Sequence, residues 1–76
     1  MKVLIKVHYE YAGMKCLQKG NFPVNYRDYK QDPDKAAATS AVKWIMEISM
    51  MFPEMIVAKV LYNEDIDITE EVNNLL

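Results

Sequence analysis

Residues 32–53 read DPDKAAATSAVKWIMEISMMFP, and this run decides the fold class. Asp32 can accept a hydrogen bond from one of the N–H groups that a first helical turn leaves free. Pro33 suits the first helical position, where its missing N–H costs nothing. Asp34 favours the positive end of the helix dipole. Pro53 blocks continuation and biases Phe52 away from helical geometry, so the run predicts one long helix ending near Met51. Ala37, Ala41, Trp44, Ile45, Ile48 and Phe52 recur at the three-or-four spacing of a buried face. Thr39, Ser40, Lys43 and Glu47 lie opposite. Met46 and Met50 fall near that polar side, where two long apolar side chains are unexpected.

On either side of the helix the period changes to two. In Lys2–Tyr11, Val3, Ile5, Val7, Tyr9 and Tyr11 alternate with Lys2, Lys6, His8 and Glu10, and Leu4 is the exception; this is the pattern of a half-buried strand. Ala12-Gly13 marks a turn, since glycine tolerates the positive φ of tight turns. Met14–Gln18 returns as a second strand, Lys19-Gly20-Asn21 reads as a second turn, and Phe22–Tyr26 is extended, with Pro23 confining it to an edge or a strand end. After the helix, Met55–Tyr62 is a strand with Ile56, Ala58, Val60 and Tyr62 on one face and Met55, Val57, Lys59 and Leu61 on the other. Both faces are mostly apolar, as in a strand covered on both sides. Thr69 can cap a short last helix anchored by Val72, Leu75 and Leu76. The expected fold is α+β: a small antiparallel sheet of three or four strands packed on one long helix, in the order β-β-(β)-α-β-α.

The chain has 76 residues, 51% of them hydrophobic and 26% charged, which suits one folded domain over residues 1–76 and argues against disorder. A single Cys16 and a single His8 exclude an internal disulfide and a Cys/His zinc framework, and a reducing, cytoplasmic setting is the natural expectation. The apolar run at Met1–Val7 is broken by Lys6 and is too short to span a bilayer or to serve as a signal peptide. Net charge is −2, but it is divided: residues 1–44 carry +4 and residues 45–76 carry −6. Such polarity can steer a charged partner.

No catalytic constellation emerges. His8 and Glu10 share a strand face and could form an acid–base pair, but no nucleophile or phosphate loop accompanies them. Cys16 has only Lys15 as a basic neighbour, weak support for a reactive thiolate. The run Asn63–Glu71 places oxygen ligands at alternate positions, yet Ile68 and Asn74 stand where a calcium loop needs Gly and a bidentate Glu. An acidic turn leading into a capped helix explains it better, so neither a metal nor a cofactor is expected. Tyr26, Arg27, Tyr29 and Lys30 interleave aromatic and basic side chains, a pattern that can stack bases while neutralising phosphates; packing of the tyrosines over the core edge is the plainer explanation.

The apolar excess carries the functional expectation. One long helix covers one sheet face; the other would then present Leu4, Met55, Val57 and Leu61, with Met46 and Met50 adding adaptable apolar surface. The alternative is that the C-terminal helix folds back over this patch. The expectation is a non-enzymatic protein-interaction module, a self-associating regulator or inhibitor, with a homodimer or another protein as partner. The alternative is a nucleic-acid binder using the basic N-terminal half, with Tyr26, Arg27, Tyr29 and Lys30 as contacts. In general style, though in no motif, the chain is similar to small orphan proteins of bacteriophages and mobile elements, which implies an inhibitor or adaptor.

Overall fold

The computed structural model describes residues 1–76. Its elements are β1 (Lys2–Tyr11), β2 (Met14–Pro23), α1 (Tyr26–Gln31), α2 (Pro33–Met51), β3 (Ile56–Tyr62), β4 (Ile66–Asp67) and α3 (Thr69–Leu75). The four strands form one antiparallel sheet in the order β2-β1-β3-β4. The fold is α+β, as the two periodicities require.

The β1–β2 hairpin is closed by Ala12 and Gly13, with φ of 53° and 78°. Positive φ at both central residues defines the type I′ turn, whose twist matches that of the flanking strands. This turn locks β2 to β1 along all ten residues, from Tyr11↔Met14 to Lys2↔Pro23. The expected turn at Lys19-Gly20-Asn21 therefore does not exist. Gly20 lies inside β2, where a Cβ would meet the Phe22 ring at 3.0 Å, with the Trp44 ring at 3.8 Å. The glycine makes room for aromatic cover and does not turn the chain.

The stretch expected to be extended after Pro23 instead enters α1. The Asn25 carboxamide accepts hydrogen bonds from the N–H groups of Arg27 (2.9 Å) and Asp28 (3.2 Å), an ordinary helix cap. Helix α2 starts as expected, with Asp32 accepting from the Lys35 N–H at 3.2 Å and Pro33 in the first turn. Ala37, Ala38, Ala41, Ile45 and Ile48 are its buried residues. The small alanine methyls let α2 pack closely against β1. Trp44 is only half-buried and lies on the flank of α2, its ring centroid 4.5 Å from that of Phe22. Trp44, expected on the buried face with Ile45 and Ile48, packs against the core but is less buried than they are, and its indole roofs the hairpin. At the other end, Phe52 packs edge-on to Tyr11, centroids 5.2 Å apart.

Val3, Ile5, Val7 and Tyr9 of β1 and Val60 and Tyr62 of β3 meet α2, Val24, Ile68 and Val72 in one core. Helix α3 packs on α2 and β3, on the side already covered. It does not fold over the other face of the sheet.

One irregularity decides what that other face shows. His8 pairs with Lys59 and Tyr9 with Val57, leaving Ala58 without a partner on β1. This bulge reverses the in–out alternation of β3. Met55 and Val57, expected on the outer face with Leu61, are turned inward and pack against the core, and Ile56 is turned outward.

Candidate functional site

The candidate site is the sheet face away from the helices. Directly paired residues of antiparallel strands project to the same side, so the registers give this surface row by row. Lys15, Glu10 and Ile56 form one row; Leu17, His8 and Lys59 the next; then Lys19, Lys6, Leu61 and Asp67; then Asn21 and Leu4; then Pro23 and Lys2. Leu4, Lys6, His8 and Leu61 are half-buried by their neighbours, while Leu17 and Ile56 are 52% and 64% exposed.

Five lysines face two carboxylates here, a local net charge of +3. The whole chain is −2, so all other surfaces together carry −5. Four of the eight basic residues in 1–44, Lys2, Lys6, Lys15 and Lys19, thereby share this face with Lys59 of β3, while Arg27, Lys30, Lys35 and Lys43 lie on α1 and α2. Lys6 and Lys19 stand directly opposite each other. Val24 donates its N–H to the Met1 carbonyl at 2.8 Å, which fixes the hydrogen-bond alternation along the hairpin and makes Lys6–Lys19 a non-hydrogen-bonded pair, the closer kind. Like charges placed this way destabilise a sheet.

The residues expected to bind a partner are spread over three regions. Leu4 and Leu61 are on the open face. Met55 and Val57 are turned to the helix side by the Ala58 bulge and, half-buried, pack against the core. Met46 and Met50, 59% and 84% exposed, lie on the outside of α2, across the molecule from the sheet face. Leu17, Ile56 and the lysine rows were not anticipated. The signal for Lys15, Leu17 and Lys19 was the two-residue turn, which dictates their register; the signal for Ile56 was hidden by the bulge.

The aromatic–basic segment sits elsewhere, on α1. Tyr26, Arg27 and Lys30 are exposed, but Tyr29 is turned inward. Its ring meets Tyr62 at 6.5 Å, edge-on, and its hydroxyl accepts from the Asn63 side-chain amide at 3.1 Å. The Tyr62 hydroxyl in turn donates to Asp34 at 2.6 Å. Burial, then this bond to a carboxylate, raises the Tyr62 hydroxyl far above the ordinary phenol value. These groups tie the start of α2 to β3.

His8 and Glu10 do share the open face, but Cys16 pairs with Tyr9 and so belongs to the helix side. In the acidic run, the Asp67 carboxylate accepts from the Thr69 N–H (2.9 Å) and O–H (2.6 Å). Those bonds hold Asp67 below the usual carboxylate range. Thr69 is the first helical residue and does not cap α3, since its hydroxyl accepts the Val60 N–H at 3.0 Å. No three His, Cys, Asp or Glu side chains converge where an ion could be held, and no helix is long and apolar enough to cross a membrane. No protein-family model, curated protein or solved structure matches the chain.

Proposed function

We propose that this chain is a non-enzymatic protein-binding module that takes an acidic surface of a partner protein on its open sheet face. The observation that carries this reading is the face itself: four strands, uncovered by any helix, with Leu4, Leu17, Ile56 and Leu61 set among five lysines. Protein interfaces combine an apolar centre with a polar rim, and lysine stems add apolar contact while their ammonium groups reach outward. A partner carboxylate placed between Lys6 and Lys19 would relieve their mutual repulsion, so binding and intrinsic stability pull in opposite directions at this pair. The same charge weighs against a second copy as the occupant, because stacking two such faces sets lysines against lysines.

The test is capture of a partner from the native host by four baits. The unaltered chain and Met50→Lys, which changes the outside of α2, are expected to retain the same protein. Leu61→Lys and Lys6→Glu are expected to lose it, and the purified pair should weaken with added salt. Retention by both face variants and loss by Met50→Lys would transfer the site to the methionines of α2.

A second reading, nucleic-acid binding, is favoured by the convergence of Lys2, Lys6, Lys15 and Lys19 on one face. Against it, that face holds no Phe, Tyr or Trp to stack a base, and Tyr29 is committed to Tyr62. Titration with short single- and double-stranded oligonucleotides at low salt separates the readings. Micromolar binding lost at moderate salt would promote this second one.

A further inference from the structure

Strand β2 is a sheet edge, and its hydrogen-bonding alternation is known from the hairpin. The even-numbered residues of β2 exchange backbone bonds with β1. Lys15, Leu17, Lys19 and Asn21 therefore direct their N–H and C=O groups away from the sheet. All four are exposed, and none of their backbone groups meets another part of the chain. Such an edge is a template for one more strand.

The side chains of the same four residues select which strand. A second β2 is a poor choice. Antiparallel pairing centred on Leu17 sets Lys15 opposite Lys19 in both directions, and any such pairing joins two basic faces into one. Lysines on an edge are a common defence against self-pairing. The defence works by sign, however, and an acidic strand reverses it. We propose that the β2 edge accepts an extended acidic segment of a partner protein, in which two carboxylate side chains flank an apolar one at alternate positions. The carboxylates then face Lys15 and Lys19, the apolar side chain faces Leu17, and the backbone completes the outward N–H and C=O groups of all four residues. This inference rests on the reading of the chain as a protein-binding module and adds the form of the bound segment.

The probe is a short capped peptide with a glutamate-threonine-leucine-threonine-glutamate centre, added to the isotope-labelled full chain. At saturating peptide, amide hydrogen exchange at Lys15, Leu17, Lys19 and Asn21 is expected to slow at least tenfold. A peptide with lysine for glutamate should leave it unchanged. Leu17→Pro removes one outward N–H without touching a β1 bond, since edge strands tolerate proline where the N–H faces solvent. That variant should stay folded and lose the protection at Lys15, Lys19 and Asn21. Lys19→Glu should weaken binding about tenfold. Peptide-induced shifts confined to Leu4, Lys6 and Leu61, with edge exchange unaltered, would overturn the edge inference and leave the face reading standing. No binding at millimolar peptide would overturn it too, while the capture experiment still judges the face. Edge protection without peptide that rises with protein concentration, together with a dimer in light scattering, would show the edge to be filled by a second copy.

Discussion

The Lys6–Lys19 pair makes a quantitative prediction that runs against ordinary experience with substitutions. Directly opposed residues in a non-hydrogen-bonded pair have Cβ atoms about 4.5–5.5 Å apart. The ammonium groups stand at the ends of flexible stems and splay further apart than the Cβ atoms; two unit charges about 8 Å apart in water interact by about 0.5 kcal/mol, and screening at moderate salt lowers this further. Lys19→Glu removes that repulsion and substitutes an attraction of similar size. Measured cross-strand pairs span about 0.2–1 kcal/mol, so the substitution should stabilise the fold by about 0.5–1 kcal/mol. For a domain of this size about 1 kcal/mol moves the melting temperature by about 4–8 °C, and a rise of about 2–8 °C is expected. Lys19→Gln should give about half. Thermal unfolding followed by circular dichroism at low and high salt is the assay, and the gain should shrink as salt rises. A lower melting temperature for Lys19→Glu, or a gain indifferent to salt, would refute the placement of the two ammonium groups.

Two more expectations concern local backbone and charge. Ala12 holds φ at 53°, where an alanine Cβ is crowded and asparagine is favoured; Ala12→Asn should therefore raise the urea midpoint by the equivalent of about 0.5–1 kcal/mol with an unchanged slope. Asp67 is held below the usual carboxylate range by its two bonds from Thr69, so its contribution is present above the ordinary carboxylate value of about 3.9 and is lost as pH falls through the depressed folded value. Asp67→Asn keeps an acceptor but cannot ionise; it should melt below the parent at neutral pH and converge with it in acid, and a gap of constant size throughout would contradict this.

Much of the fold was legible because the sequence punctuates it clearly. Asp32-Pro33-Asp34 and Pro53 bracket α2, and the alternation of Val3 through Tyr11 reports β1. Ala12-Gly13 reads as a turn in sequence, and its two-residue length sets Lys6 opposite Lys19 and His8 opposite Leu17. Gly20 then misled, because a glycine under an aromatic ring and a glycine in a turn look alike in sequence. Helix α1 has a sequence signal in Asn25 followed by Asp28, a cap with an acidic first turn, but at six residues it is too short to show a helical period, and the interleaved tyrosines and bases resemble surface chemistry instead.

The bulge at Ala58 was not legible, and it changes the character of the binding face. With unbroken alternation β3 would place Met55, Val57, Lys59 and Leu61 outside, an oily strip of the kind that drives self-association. The extra residue turns Met55 and Val57 inward, to the end of the sheet where Phe52 and Tyr11 already gather, and adds them to the core. What stays outside is Lys59 and Leu61, joined by Ile56, beside the lysines of β1 and β2. A face that would have been mainly apolar becomes one with five lysines among its apolar side chains. On the proposed reading, its partner would be chosen by the sign of its side chains, and affinity should fall with salt. Lys19→Glu, which should make the isolated chain more stable, should therefore also make it a poorer binder.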